Sequence, residues 1–277
     1  MKNVLVTGCS SGIGYCVAKG LKERGYKVFA TARKDEDIQR LETEGLTVIA
    51  LDYADAESVD DCANELILRT NNEIYAVFHN GAYGQPGAVE DLTRAVLEEQ
   101  FASNVFGWIQ LTNRLIPFMR QVNEGRIIFN SSVLGLVSLP YRGAYNASKY
   151  AIEGFADTLR LELASTDIKV SLIEPGPVES KFRENSLIKL KENIQIESSF
   201  HRDKYRAVLK RLEIIGPAVP FTLPPEAVLK KVEHALASNA PKAHYYVTFP
   251  TYLFGYLKRI LPAKWLDKVM LQVGGNE

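Results

Sequence analysis

The sequence predicts an α/β protein in which a doubly wound parallel sheet carries helices on both faces. Seven short runs rich in β-branched residues are almost continuously apolar, as expected of parallel strands buried on both sides. Between them lie longer stretches with apolar residues at helical spacing, and this alternation is typical of doubly wound folds. The predicted strands are residues 4–7, 28–31, 47–51, 76–80, 126–130, 169–173 and 244–248.

Three of the intervening stretches carry the helical spacing that predicts helices, over residues 13–24, 58–69 and 144–164. Gly25 follows the first of them directly, and glycine is typical of the position just past a helix end. A wound α/β sheet of this size usually folds as one unit around a single core, so we predict one domain over residues 1–277.

The alternation of strands and helices breaks after the sixth strand, at the Glu-Pro-Gly-Pro motif of residues 174–177. About fifty residues then pass before the seventh strand, and irregular stretches of this length are typical of lids and binding loops. We predict a substrate lid with one or two helices over residues 178–223. Residues 250–272 are predicted to form a helical tail.

Composition and charge exclude several classes of protein. Lys plus Arg and Asp plus Glu both number 33, so the net charge is zero and no nucleic-acid partner is expected. Cys9, Cys16 and Cys62 are scattered, which fits neither a disulfide framework nor a metal ligand set and predicts a reducing cytoplasm. No secretory leader is expected, and no apolar run approaches the roughly 20 residues that cross a bilayer.

A glycine-rich turn over residues 7–14 follows the first predicted strand and opens the first helix. Missing side chains allow backbone amides to approach a pyrophosphate, which the positive end of a helix also attracts. Three glycines alone are a weak signal, because any tight turn can use them, but their position after the first strand strengthens it. The predicted cofactor contacts in this turn are Gly8, Ser10, Ser11, Gly12, Ile13 and Gly14.

The end of the second strand predicts which dinucleotide is bound. An NAD-selective site places a carboxylate there, whereas this chain has Arg33 and Lys34. The planar guanidinium of Arg33 suits a 2′-phosphate, with Lys34 as a second charge, so we predict NADP(H). The alternative is a solvated surface pair. Asp52, after the third strand, is predicted near the adenine, although Asp at such a place is also a common helix cap.

Tyr145 and Lys149 are four residues apart in a predicted helix, which places the phenol and the ammonium on one face. Lowering the pKa of a tyrosine from ~10 to ~7 takes roughly 4 kcal/mol, and a nearby cation is the obvious source. We therefore predict that Tyr145 is a general acid and base activated by Lys149. Ser132, at the end of the fifth strand, is predicted to hold the substrate oxygen, with Ser131 as the competing candidate.

Together these motifs resemble the short-chain dehydrogenase/reductase family over residues 1 to about 180. The resemblance implies a Rossmann-type fold of seven strands and NAD(P) chemistry. It also implies a catalytic tetrad, in which the Asn helps to hold a water that links the Lys to solvent while the Lys binds the nicotinamide ribose. The tetrad here is Asn104, Ser132, Tyr145 and Lys149. The other residues that carry the resemblance are Thr7, Gly8, Gly12, Gly14, Asn80, Gly81, Ala82, Pro175 and Gly176.

The same resemblance implies cofactor contacts after the fourth and sixth strands. Ser180 stands where the family often has a Thr that contacts the nicotinamide carboxamide. Ala82 departs from the family pattern, because it adds a Cβ where a glycine is usual. His79 is predicted to be a packed strand residue. The implied contacts are Asn80, Gly81, Pro175, Gly176, Val178 and Ser180, together with Tyr145 and Lys149 of the tetrad.

The predicted substrate pocket is mainly apolar, with contacts from Ser132, Leu134, Tyr141 and Phe182. Such a lining favours a hydrophobic carbonyl over a sugar or a phosphate, although some of these residues could belong to the core instead. The chain further resembles the 17β-hydroxysteroid and retinol dehydrogenase branch of the family. That branch implies steroid, retinoid or lipid-like aldehydes and ketones. The alternative function is a catalytically silent protein that senses NADP(H).

The tail over residues 252–265 is aromatic and basic, so one hypothesis is a weak contact with a membrane surface. We favour a helix packed on the lid or on a second subunit, because Pro262 interrupts any long amphipathic helix. Helical stretches over residues 106–118 and 151–163 are apolar enough for a subunit interface, and the family resemblance implies a homodimer or tetramer.

Overall fold

Seven strands form one parallel sheet in the computed structural model, which describes residues 1–214, 216 and 219–275. The strands are β1 (Asn3–Val6), β2 (Lys27–Ala32), β3 (Thr47–Ala50), β4 (Ala76–His79), β5 (Gly125–Asn130), β6 (Ile168–Glu174) and β7 (His244–Tyr246). Their order is β3-β2-β1-β4-β5-β6-β7, and each neighbouring pair is parallel. The predicted fold is confirmed, and every strand lies within two residues of its predicted ends.

Helices connect the strands and cover the sheet on both faces. The predicted helices over residues 13–24, 58–69 and 144–164 correspond to α1 (Gly12–Glu23), α3 (Ala56–Thr70) and α6 (Gly143–Glu162). In chain order the helices are α1 (Gly12–Glu23), α2 (Asp35–Thr43), α3 (Ala56–Thr70), α4 (Arg94–Phe101), α5 (Gly107–Val122), α6 (Gly143–Glu162), α7 (Phe182–Asn193), α8 (Arg202–Leu212), α9 (Glu226–Ala237), α10 (Phe249–Ile260) and α11 (Ala263–Gly275).

Two apolar cores lie on the two faces of the sheet, because side chains alternate along each strand. In β1, Val4 and Val6 pack into one core and Leu5 packs into the other. The first core receives α1, α2 and α9, and the second receives α3, α5 and α6. This layering brings the carboxyl ends of all seven strands to one edge, and the chain reverses its direction of winding between β1 and β4.

The segment predicted as a lid, residues 178–223, contains the helices α7 and α8 in its described part. The hydroxyl of Tyr205, in α8, accepts a hydrogen bond from the amide of Ala88 at 2.8 Å and donates one to Asp91 at 2.6 Å. A third apolar cluster forms between this segment and the loop after β4. The predicted helix content is therefore present, and the role of the segment as a lid stays a prediction.

The predicted helical tail consists of α10 and α11, which are separated near Pro262 as expected. At the end of α11, a Cβ on Gly274 would lie 2.7 Å from the side chain of Pro140, so this helix packs against the loop after β5. Among the described residues, no helix combines the length and the apolar character that a membrane span requires.

Candidate active site

The glycine turn packs backbone against backbone at the carboxyl edge of the sheet. Gly8 has a φ of +68°, and a Cβ there would lie 2.5 Å from the Cα of Gly81. A Cβ on Gly14 would overlap the carbonyl oxygen of Gly8. A Cβ on Gly12 would lie 2.9 Å from the Cβ of Ser180, so the turn also touches the chain after β6. Only glycine at these positions keeps the turn open, and we call this open turn the glycine cradle. The N-terminus of α1 faces it.

A polar scaffold joins this turn to the ends of β4 and β5. The hydroxyl of Thr7 accepts hydrogen bonds from the amides of Asn80 at 2.8 Å and Gly81 at 3.1 Å. The side chain of Asn80 donates to the carbonyl of Thr7 at 3.0 Å and accepts from the side chain of Asn130 at 2.8 Å. These bonds hold three loops together. The role of Asn130 was not predicted, because the sequence of a strand end does not show which distant side chain it will contact.

Ser132 and Tyr145 are neighbours in the candidate site. Their side chains share a hydrogen bond, and the Ser132 hydroxyl also accepts one from the amide of Leu134 at 3.1 Å. The neighbouring Ser131 turns the other way and donates to the carboxylate of Glu153. The structure thus brings the hydroxyl of Ser132, and not that of Ser131, to the phenol.

Lys149 is buried beside them, with 2% of its surface exposed. Its ammonium donates to the carbonyl of Asn130 at 2.8 Å and lies 5.6 Å from the ring centre of Tyr145. It also lies 4.5 Å from the ring centre of Trp108. Burial lowers the pKa of Lys149 to about 7, against the opposing charge of Glu153.

Burial acts on the phenol as well. It raises the pKa of Tyr145 to about 12, although the hydrogen bond from Ser132 opposes the shift. The predicted lowering of the pKa by Lys149 is therefore not present in the protein alone. The reason is that burial disfavours the charged form of each group, the phenolate of Tyr145 and the ammonium of Lys149 alike.

Asn104 lies in a widened turn of π-helix at Ala102–Phe106, between α4 and α5. Its side chain donates to the carbonyl of Tyr83 at 2.9 Å and accepts from the amide of Tyr83 at 3.2 Å. It also donates to the hydroxyl of Ser148, one residue before Lys149. Such π turns are frequent at functional sites. In the structure Asn104 therefore holds the loop after β4 against α6.

The residues predicted to read the adenosine end lie outside the cavity. Arg33 pairs with Asp52 at 3.5 Å, and Lys34 pairs with Glu36 at 3.4 Å. Arg40 was missed at the sequence level. Its guanidinium donates to the carbonyl of Ser10 at 2.7 Å, so this cation of α2 reaches the glycine turn. The contact depends on how α2 packs, which the sequence does not show.

A cavity of about 1100 Å³ connects the glycine turn to the phenol of Tyr145. Phe182 packs the edge of its ring against Tyr145, with 5.1 Å between the ring centres. Apolar side chains from the tail, including Leu253, Phe254 and Val273, also line the cavity and were not predicted. The predicted residues that line it are Gly8, Ser10, Ser11, Ile13, Asn80, Gly81, Ser132, Leu134, Tyr141, Tyr145, Lys149, Pro175, Gly176, Val178, Ser180 and Phe182. The predicted residues outside its lining are Gly12, Gly14, Arg33, Lys34, Asp52 and Asn104.

His79 is a packed residue of β4, as predicted from the sequence. Its ring nitrogens lie 2.7 Å from the hydroxyl of Tyr53 and 2.9 Å from that of Thr112. Burial lowers the pKa of His79 to about 3, so the ring is neutral. The ring also stacks on Phe129.

The strand order and the glycine turn define an α/β protein of the Rossmann type. The chain belongs to the short chain dehydrogenase family, which it matches over residues 2–190. It is 45% identical over 269 residues to the Escherichia coli (strain K12) protein named "Uncharacterized oxidoreductase YbbO", covering 97% of this chain and 94% of that protein. The predicted family is thereby confirmed.

Two further comparisons agree with this assignment. The chain is 36% identical to retinol dehydrogenase 8 of Homo sapiens over 191 residues, which cover 65% of this chain and 60% of that protein. The crystal structure of a short-chain dehydrogenase from Streptomyces avermitilis superposes with a TM-score of 0.75 at 26% identity, covering 98% of this chain and 94% of that one. The predicted resemblance to a retinol dehydrogenase thus has a counterpart among the relatives.

Proposed function

We propose that the protein is an NADP(H)-dependent oxidoreductase that interconverts hydrophobic aldehydes or ketones and their alcohols. One observation carries the proposal: the side chains of Ser132, Tyr145 and Lys149 lie together and line the same cavity as the glycine turn. A carbonyl oxygen beside Tyr145 could accept hydrogen bonds from the hydroxyls of Ser132 and Tyr145 at once.

Side chains of the protein would donate the proton in this reaction and stabilise the charge that remains. NADPH, when bound, supplies the hydride. Tyr145 gives its proton to the carbonyl oxygen, and its raised pKa keeps the phenol protonated at neutral pH, as a proton donor must be. The ammonium of Lys149 then stabilises the phenolate that is left. Asn104 is the fourth member of the proposed tetrad. Its hydrogen bonds to Tyr83 and Ser148 keep the neighbouring segments in position.

The proposed cofactor fits the observed cradle. Cβ atoms at Gly8 and Gly14 would collide with backbone, so the turn keeps its amides open to a pyrophosphate. Arg33 and Lys34 lie at the end of β2, where positive charge favours the 2′-phosphate of NADP(H) over the bare ribose of NAD. Asp52 lies beside Arg33, where its carboxylate could accept a hydrogen bond from the adenine.

The proposed substrate class rests on the walls of the cavity. Leu134, Tyr141, Phe182 and Phe254 all line it, and Phe182 contacts the ring of Tyr145. Apolar walls of this kind select an apolar ligand, with a steroid, a retinoid or a lipid-like carbonyl as the candidates. The retinol dehydrogenase among the relatives supports this choice.

Residues 178–223 are proposed to act as the substrate lid, because Phe182 at the start of α7 lies directly on the phenol. We also propose a reducing cytoplasm as the compartment, since Cys9, Cys16 and Cys62 are all free thiols. A weak membrane contact through α10 and α11 is proposed from their exposed Ile260 and Trp265. Flotation with anionic liposomes tests that contact, and protein that stays in the soluble fraction contradicts it.

A panel of carbonyl compounds with NADPH tests the proposed reaction. Purified protein should consume NADPH with lipophilic aldehydes or ketones, and Tyr145→Phe should stop turnover while NADPH still binds. Tyr150→Phe is the matched control, because its hydroxyl bonds the carbonyl of Leu136 and the ammonium of Lys258 and lies outside the lining of the cavity, and it should keep its activity. Full turnover by Tyr145→Phe would refute the mechanism. NADPH binding without turnover by the unmodified protein would instead favour the sensor.

A further inference from the structure

Three ionisable side chains meet where α6 packs beside β6 and β7. Glu153 lies in α6, Glu174 ends β6 and His244 begins β7. One ligand atom from each lies within 4.8 Å of the others. His244 Nδ1 is 2.7 Å from Glu174 Oε1 and 3.9 Å from Glu153 Oε2. None of the three lines the cavity described above, although the hydroxyl of Ser131, which does line it, donates to the Glu153 carboxylate.

One oxygen of this cluster has no partner. Glu174 has 0% of its surface exposed, and its Oε2 accepts no hydrogen bond from any described residue. Leaving a buried carboxylate oxygen unsatisfied is costly. The other oxygen of this carboxylate, Oε1, is hydrogen-bonded to His244 Nδ1 at 2.7 Å, so Oε2 is its open acceptor.

The surroundings orient these groups as they are oriented in metal sites. His244 Nε2 lies 3.5 Å from Asp157 Oδ1, and a metal-bound histidine commonly donates its other ring N–H to such a carboxylate. Nδ1 and Glu174 Oε1 share a proton across 2.7 Å, and a cation bound between them would displace that proton. The hydroxyl of Ser131 donates to Glu153 and holds that carboxylate in place. His244 is partly exposed, which leaves an ion a way in from solvent.

We propose that Glu153, Glu174 and His244 bind one divalent cation, with Zn²⁺ preferred over Mg²⁺. Two carboxylates and one imidazole are a ligand set that zinc accepts, with water in the fourth position. The imidazole favours a transition ion, because Mg²⁺ prefers oxygen ligands and keeps its waters. The cation would satisfy Glu174 Oε2 and neutralise the carboxylate pair. The proposal does not depend on the proposed reaction.

Zinc binding to the chelator-treated full chain tests the site directly. Competition with a chromogenic chelator should give one equivalent of bound Zn²⁺ and much weaker binding of Mg²⁺. His244→Asn should weaken zinc binding by at least about tenfold, and Asp157→Asn by about tenfold through loss of the outer carboxylate. No saturable zinc binding by the unmodified protein, or unchanged affinity in His244→Asn, would overturn the site.

Two controls separate this site from other zinc ligands. His201→Asn removes the other contact between a histidine and a glutamate, in which His201 lies 2.5 Å from Glu90, and should leave the affinity unchanged. Cys16→Ser should also leave it unchanged. If the His244 variant fails to fold, X-ray absorption of the zinc-loaded unmodified protein decides the matter. Nitrogen and oxygen ligands are expected, and sulfur ligation would overturn the proposal.

Discussion

Arg33 and Asp52 form an ion pair beyond the ends of β2 and β3, with 3.5 Å between Arg33 Nη1 and Asp52 Oδ2. The Arg33 side chain is 66% exposed, so the pair contributes at most about 1 kcal/mol. Asp52 is held separately, because it accepts a hydrogen bond from the amide of Ala54 at 3.0 Å. A 2′-phosphate offers a stronger, bidentate partner and would draw the guanidinium away from Asp52 at little cost.

Arg33→Ala is therefore expected to impair the use of NADPH far more than that of NADH. Loss of a charge-assisted bond worth about 1.5–3 kcal/mol should raise the KM for NADPH by about tenfold or more. The KM for NADH should change by less than about twofold, since the ribose hydroxyls lose no such bond. Steady-state kinetics with one carbonyl substrate measures both values.

Asp52→Asn provides the opposite test at the same place. It removes the competing carboxylate and leaves Arg33 intact, so the KM for NADPH should fall or stay the same. Equal increases for NADPH and NADH in Arg33→Ala would show that Arg33 does not recognise the phosphate.

Phe182 is expected to set the preference for apolar substrates, because its ring lies on the phenol of Tyr145. An aromatic contact of this kind contributes about 0.5–1.5 kcal/mol beyond area burial. Phe182→Ala should lower kcat/KM for a lipophilic aldehyde by up to about tenfold and leave the KM for NADPH unchanged. Phe200→Ala is the control, since Phe200 is 92% exposed. Equal losses with small polar and large apolar aldehydes would contradict this role.

The regular parts of the fold could be predicted because each depends on local patterns. All seven strands are nearly continuous apolar runs, and parallel strands covered on both faces leave that pattern in the sequence. The glycine turn could be predicted for the same reason, since a tight turn and a close backbone approach leave few residues other than glycine. These constraints act within a dozen residues.

Other parts of the site depend on contacts between distant segments, which leave no local pattern. Asn104 was recognised only through the family resemblance, because its spacing alone marks nothing more than a polar residue in a helix. Its bonds to Tyr83 and Ser148 exist because two helices and a loop pack together. Arg40 reaches Ser10 in the same way. The raised pKa of Tyr145 also could not be predicted, since burial depends on the whole surrounding core.

The surface of α6 provides a test of the predicted oligomer. Phe155 and Leu161 are 46% and 73% exposed, and exposed large apolar side chains on a long helix are typical of a subunit interface. Phe155→Glu should convert the predicted dimer or tetramer into a smaller species in light scattering after gel filtration. Phe200→Glu, two residues before α8, should keep the original mass. A monomeric unmodified protein would contradict the predicted oligomer.

Lys149 gives the last prediction, because its burial links the stability of the protein to pH. Its pKa is 10.5 as a reference value and about 7 in the folded protein. Between these values the unfolded chain holds a proton on Lys149 that the folded protein has released. The free energy of unfolding therefore rises with pH across this window, by at most about 1.4 kcal/mol per pH unit.

Lys149→Met removes this dependence, since methionine does not titrate. The free energy of unfolding of the unmodified protein, minus that of Lys149→Met, should therefore increase by about 2 kcal/mol between about pH 7 and about pH 9. Urea denaturation without cofactor at the two pH values measures the difference. Lys230→Met controls for the loss of a lysine from an exposed position. A difference that stays constant or decreases over this range would show that the folded protein does not hold Lys149 as a destabilised ammonium. The buried lysine would then be positioned for catalysis without lowering the free energy of unfolding.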